Sequence, residues 1–160
     1  MDEKTNKLLD DTGWKLLQEL QNNARLSYTE LGQRVGLSTP AVTERVRKME
    51  DAGIITGYHA KVDLGKVGLP MMAIVYIKDE GGQRGETKVA QIKQIPEVVE
   101  LYRTTGCDSI IVKVVAPSIE QLAVTLDQLS HTGTPSMSVV LGRPLIRNVI
   151  SDTLSVSNSI

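Results

Sequence analysis

The spacing of apolar residues changes once along this 160-residue chain, near residue 60, and that change divides what the chain can fold into. Before it, apolar residues recur at helical intervals; after it, short β-branched runs alternate with helical segments. A single change of period predicts an α-helical N-terminal part joined to a mixed α+β part.

Three helices are expected in the first part. The first runs from about Asp11 to Asn22, with Leu16, Leu17, Leu20 and Ala24 on one face. Gly13 falls on that same face. Glycine inside a helix costs ~1 kcal/mol against alanine, so either the helix starts near it or another backbone packs closely there. The second helix begins at Ser27, where Ser27-Tyr28-Thr29-Glu30 reads as a capping box, and ends at Gly36, a natural left-handed C′ residue. The third is capped by Ser38, carries Pro40 in its first turn and stops at Gly53. Its inner stripe is Val42, Val46 and Met49. Thr56–Val62 reads as a short extended segment.

Asp63–Leu69, with two glycines ahead of Pro70, reads as a linker. Beyond it the pattern predicts strand Met71–Lys78, helix Arg84–Ile95, strand Val98–Thr104, strand Ser109–Val115, helix Ser118–Ser130 and strand Ser136–Arg143. Gly81-Gly82 and Thr132-Gly133-Thr134-Pro135 read as turns. The order β-α-β-β-α-β is the ferredoxin-like pattern. The domain limits are therefore 1–62 for the helical part, 63–69 for the linker, 70–147 for the α+β part and 148–160 for a polar, weakly ordered tail.

Two helices joined by a short glycine-containing turn, the second opening with small polar residues, make a helix-turn-helix. With Val42, Val46 and Met49 facing inward, Pro40, Glu44, Arg47 and Asp51 lie opposite, flanked by Thr43 and Lys48. Thr39 and Thr43 suit phosphate, a base edge or a thymine methyl; Glu44 can accept from cytosine and Arg47 can fork onto guanine. Arg45, Lys48 and the backbone N–H groups of Ser38 and Thr39 suit phosphates. The same spacing would serve a plain structural bundle with solvated charges. Charge does not decide the matter: the net charge is −1, with nine basic and nine acidic side chains up to residue 61. Non-specific DNA binding by one copy should be weak, because few phosphates would be neutralised.

The run from Arg25 to Tyr58, continued by Ala60-Lys61-Val62-Asp63-Leu64-Gly65, resembles the Lrp/AsnC family of feast/famine transcription regulators. The features that carry the likeness are the capped second helix, Leu37-Ser38 at the turn, Glu44-Arg45-Val46 in the third helix and Gly53-Ile54-Ile55-Thr56-Gly57-Tyr58 after it. The likeness extends through the C-terminal half. One departure is Gly13, where the family pattern Leu-Asp-x-x-Asp, begun here by Leu9-Asp10, usually has aspartate. The resemblance implies a winged helix-turn-helix that binds double-stranded DNA. It also implies a ferredoxin-like domain that dimerises, often assembled further into tetramers, octamers or open arrays.

Dimerisation is also expected from the strands alone. In Met71–Ile77 both alternating faces are apolar, and Ile110–Val115 is interrupted only by Lys113. Two helices cover one face of a four-stranded sheet, and a second copy of the sheet would cover the other. The alternative is that the helical part of the same chain covers it.

Tyr102–Ser109 joins two strands at a tight turn. An amino-acid zwitterion needs an acceptor for its ammonium and N–H donors for its carboxylate. Asp108 and the backbone around Gly106, with Thr104 and Thr105, have that chemistry. The same residues would also stabilise a hairpin. The resemblance implies an effector pocket here, where relatives carry Thr-Gly-x-x-Asp. This chain reads Thr105-Gly106-Cys107-Asp108-Ser109, with its acid one place early. Gly133 and Thr134, after the last helix, would contribute from a neighbouring subunit.

Cys107 is the sole cysteine, and His59 and His131 lie far apart, so no metal site, cofactor or catalytic pair is expected beyond an amino-acid effector. The polar N-terminus and the absence of a long apolar run predict a cytoplasmic protein with no membrane partner. Two other functions remain: an architectural DNA-wrapping protein without effector, and a dimeric ferredoxin-like enzyme. The enzyme would need a polar cluster converging on one cavity, and the mostly aliphatic strands offer none.

Overall fold

A computed structural model describes residues 3–78, 85–106, 109–143, 145 and 149–152. The chain forms two compact units, one of Met1–Ala60 with Leu145–Ile160, the other of Lys61–Pro144.

Among the described residues the first unit contains four helices: α1 (Glu3–Leu8), α2 (Asp11–Asn22), α3 (Tyr28–Val35) and α4 (Thr39–Asp51). Three were expected; α1 is additional, and its six residues are too few to carry a periodic apolar signal. The local signals act as read. Ser27 accepts from the Glu30 N–H while the Glu30 carboxylate accepts from the Ser27 N–H at 2.8 Å, completing the capping box. Gly36 takes φ 74° and ends α3. Gly53, at φ 68°, ends α4, and the next N–H, of Ile54, donates back to Met49 at 2.9 Å.

Leu16, Leu20, Leu31, Val42, Val46 and Met49 form the core of this unit, with Leu8, Leu37 and Ile54 packed against it. Gly13 is required there because a Cβ would lie 1.9 Å from the Leu8 carbonyl oxygen. Another backbone does pack on that glycine, and it belongs to α1. The Thr56–Val62 segment makes no strand ladder.

The second unit is a four-stranded antiparallel sheet with two helices. Its elements are β1 (Met71–Lys78), α5 (Gly85–Ile92), β2 (Val98–Arg103), β3 (Ile110–Ala116), α6 (Ile119–Ser130) and β4 (Thr134–Val139), and the strand order is β2-β3-β1-β4. This is the expected ferredoxin-like arrangement.

Several boundaries differ from expectation, those of β2, β3 and α6 by a single residue. Helix α5 stops at Ile92, and a tightened turn with Ile95 N–H donating to Ile92 at 3.1 Å leads to Pro96, which disfavours helix in the residue before it. Strand β4 begins earlier, so Thr134 and Pro135 belong to it and not to the preceding turn. Proline is tolerated because β4 is an edge strand. The strand also ends earlier, at Val139: after Val140 donates to Met72 at 2.8 Å, Leu141 is 99% exposed and the chain has left the sheet. The segment read as a linker is a hydrogen-bonded turn of the second unit, with Leu69 N–H donating to Leu64 at 2.8 Å.

The segment read as a weakly ordered tail groups with the first unit. There Ile150 exchanges two hydrogen bonds with the Gln21 side-chain amide, at 2.7 and 2.9 Å. The Gly81-Gly82 turn, Arg84 and residues 153–160 lie outside the described residues.

The helix-covered face of the sheet carries Ala73, Val75, Ile77, Ile110, Val112, Val114 and Ala116, packed with Ile92, Leu122 and Leu129. The opposite face carries Met72, Ile74 and Tyr76 on β1, paired in register with Val115, Lys113 and Ile111 on β3. Lys113, the one charge that interrupts β3, is neutralised across the ladder by Glu100 at 2.6 Å.

Candidate functional site

Helix α4 is held from behind and open in front. Val42, Val46 and Met49 are fully buried, whereas Thr39, Pro40, Thr43, Glu44, Arg47 and Lys48 are exposed. The turn before it is hydrogen-bonded and closely packed. Leu37 N–H donates to Gly32 at 2.9 Å, and a Cβ on Gly32 would sit 2.5 Å from the Leu37 carbonyl oxygen. The Ser38 hydroxyl caps α4 by accepting from the Ala41 N–H at 3.4 Å.

The outward side chains are organised among themselves. Thr43 Oγ1 donates to its own helix at the Thr39 carbonyl, 2.9 Å away, which commits its hydroxyl. Thr39 Oγ1 lies 3.3 Å from Thr29 Oγ1. Glu44 lies 3.2 Å from Lys48 and 3.3 Å from Arg47. The Lys48 hydrogen bond and the Arg47 charge hold the Glu44 carboxyl below its ordinary range, so it remains an acceptor at neutral pH. The Arg47 guanidinium also lies 3.7 Å from Asp51, with 62% of its side chain exposed.

Arg45 does not join this face. Its guanidinium forks onto Asp10, with Nη1–Oδ1 at 2.7 Å and Nη2–Oδ2 at 2.8 Å. Asp10 is at the same time the N-cap of α2, accepting from the Gly13 N–H at 2.8 Å. The Arg45 hydrogen bonds, reinforced by that N–H, lower the Asp10 pKa. Arg45 thus ties α4 to the start of α2. Sequence reading placed it among the phosphate contacts and gave Asp10 no role; the N-cap position of Asp10, just ahead of a helix, was the available signal.

In the second unit, Thr104 N–H donates to Ser109 at 2.9 Å and closes the turn between β2 and β3. Thr105 and Gly106 are exposed at its tip, and Gly106 has φ 105° with open space where a Cβ would be. Cys107 and the candidate Asp108 lie outside the described residues. Arg103 pairs with Ile110, Ile110 with Ile77, and Lys78 with Thr134. That register puts the 104–106 turn and the Gly133-Thr134 start of β4 at the same end of one sheet. Gly133 sits against β1, where a Cβ would meet the Lys78 carbonyl oxygen at 2.5 Å.

Among the described residues no group of three or more His, Cys, Asp or Glu could hold a metal ion. No described helix is long and apolar enough to cross a membrane.

An anchored, outward-facing helix after a three-residue turn, beside a separate α+β unit, defines a helix-turn-helix DNA-binding regulator. Comparison with known proteins gives the same class. Residues 9–56 match a winged helix-turn-helix DNA-binding family, and residues 72–150 match the Lrp/AsnC ligand binding domain. The chain is 38% identical to the HTH-type transcriptional regulator YezC of Bacillus subtilis over 133 residues, 83% of this chain and 94% of YezC. It is 32% identical to the regulatory protein AsnC of Escherichia coli over 151 residues, 90% of this chain and 97% of AsnC. Among solved structures, a transcriptional regulator of Neisseria meningitidis in complex with L-methionine superposes with a TM-score of 0.81 at 29% identity, covering 89% of this chain and 96% of that one. The chain belongs to the Lrp/AsnC family of transcriptional regulators.

Proposed function

We propose that this chain is a cytoplasmic, non-catalytic regulator that binds DNA as a homodimer or a larger assembly and responds to an amino acid or a related small metabolite. The observation that carries the DNA reading is α4: three fully buried residues anchor it while Thr39, Thr43, Glu44 and Arg47 face outward together. Arg47 reads guanine, Glu44 accepts from cytosine and the Thr43 methyl meets thymine, since its hydroxyl already serves its own helix. Ser38, Thr39 and Pro40 form the end of α4 that enters the groove, and Lys48 meets phosphate.

On the sheet face away from the helices Met72 and Val115 are buried while Ile74, Ile111 and Lys113 are half-buried and Tyr76 is exposed, and this partly uncovered apolar surface around the Glu100–Lys113 pair supports a two-fold dimer. Such a dimer presents two copies of α4 to half-sites about one helical turn apart. The effector seat combines Thr104, Thr105 and Gly106 with Gly133 and Thr134 at the same end of the sheet; the candidate acceptor Asp108 belongs with them by sequence. The complex of the Neisseria meningitidis regulator with L-methionine supports an amino acid as ligand.

The test is a measurement of solution mass and DNA affinity with and without L-methionine, followed by the other amino acids. A mass of two or more chains, a discrete footprint and a ligand-dependent affinity are expected. A monomer that binds no duplex overturns the reading. A regular footprint on random DNA with no ligand response replaces it by the architectural one.

A further inference from the structure

Helix α1 lies ahead of the segment that matches the DNA-binding family, which starts at residue 9. It is seated against the helix-turn-helix by two features. Leu8 packs on the core of the unit, and Gly13 lets the Leu8 carbonyl approach where a Cβ would be 1.9 Å away. Gly13 is also the position at which this chain departs from the acidic residue that the family pattern carries.

The seating brings α1 alongside the C-terminal half of α4. Between them is an open cleft of about 610 Å³, with Thr5, Lys7 and Leu8 on one wall and Arg47, Lys48 and Asp51 on the other. Three of these side chains are cationic and one is anionic. Lys48, the α4 residue assigned to phosphate, lines this cleft next to the base-reading Arg47, so a strand whose bases meet Arg47 would carry its sugar–phosphate backbone toward the cleft. The volume is ample for a phosphodiester group, and Lys7 of α1 with Lys48 of α4, which shares Glu44 with Arg47, bring exchangeable cationic groups to it from two helices.

We propose that α1 is a phosphate-docking arm for DNA: the cleft between α1 and α4 receives the backbone of the strand bordering the major groove, with Lys7 as a contact outside the helix-turn-helix itself. The inference rests on the DNA-binding reading of α4 and adds an element to it. Gly13 and α1 then act as one device, the glycine opening the seat and the helix carrying the lysine to it.

Fluorescence anisotropy on a specific and a scrambled duplex, over a salt series, tests this with the full-length chain. Lys7→Ala is expected to weaken both duplexes by the same factor. It should also reduce the slope of log K against log salt by about one for each protomer on the duplex. Lys7→Glu should weaken both further, and Lys7→Arg should restore the slope. Gly13→Ala, which displaces α1 and leaves Lys7 in the chain, should reproduce the loss of slope, with circular dichroism reporting whether the unit stays folded. If the parent binds DNA and both Lys7→Ala and Lys7→Glu leave affinity and slope unchanged, the arm is refuted while the regulator reading stands. A loss confined to the specific duplex makes Lys7 a base contact and also refutes it. A parent that binds neither duplex removes the reading on which the arm depends.

Discussion

Arg45→Ala distinguishes a phosphate contact from an internal tie. The guanidinium makes two hydrogen bonds to Asp10, at 2.7 and 2.8 Å, with 29% of the Arg45 side chain and 46% of the Asp10 side chain exposed. Exposed ion pairs contribute roughly 0.2–1 kcal/mol, and a two-point fork at partial burial belongs at the upper end, about 1 kcal/mol after solvent screening. Asp10 also caps α2, a role worth about 1 kcal/mol more, so Asp10→Ala should cost about 2 kcal/mol. Asparagine keeps the cap and loses the charge. A cycle of Asp10→Asn, Arg45→Ala and the double variant therefore isolates the tie. Urea unfolding at neutral pH, followed by circular dichroism, should give a coupling of about 1 kcal/mol. The Asp10 pKa is depressed from its ordinary 3.8, so the coupling is complete above that value and is lost as pH falls through the lowered one. Arg45→Ala should leave the salt dependence of DNA binding in place. A coupling of zero together with a shallower salt slope would refute the tie and return Arg45 to the phosphate contacts.

The base-reading role of Arg47 predicts that Arg47→Ala costs about 1–3 kcal/mol at one base pair and relaxes preference there, measured by competition among singly substituted duplexes; an equal loss on every sequence refutes it. Gly133→Ala should destabilise the sheet unit by about 1–3 kcal/mol, because the new Cβ would face the Lys78 backbone, which cannot yield as a flexible side chain can. An unchanged urea midpoint would show that the β1–β4 junction is looser than its contacts imply.

What could be read from the sequence follows the range over which each signal acts. Caps and stops are local, so Ser27 with Glu30, Gly36, Ser38 and Gly53 announced α3 and α4 within a residue or so of their limits. Strand β1 was legible because an apolar run of that length has few alternatives, whereas the end of β4 depended on where its partner β1 stopped. The tie between Asp10 and Arg45 spans 35 residues and joins groups that each had a plausible local role, one as a cap and the other as a surface cation. Nothing short of the packed arrangement could join them. Gly13 is an intermediate case: its helical cost required some close neighbour, but which backbone filled that place was not written nearby.

The Arg45–Asp10 ion pair bears on how many cations the helical unit offers to a duplex. The helical part carries as many acidic as basic side chains up to residue 61, and Arg34 is matched by Glu19 at 2.7 Å just as Arg45 is by Asp10. One protomer therefore offers few cations to a duplex, and Lys48 and Arg47 both share Glu44. Counterion release scales with the number of phosphates neutralised, so a single copy is expected to bind DNA weakly and to depend on base contacts. Two copies double both contributions and add the entropic advantage of a linked second site. The half-buried Ile74 and Ile111 on the helix-free sheet face favour a second copy on grounds of apolar burial, and the sparse charge of the DNA-binding unit favours one on grounds of affinity. Under the proposed dimer, assembly through one unit and DNA recognition through the other are two halves of one requirement.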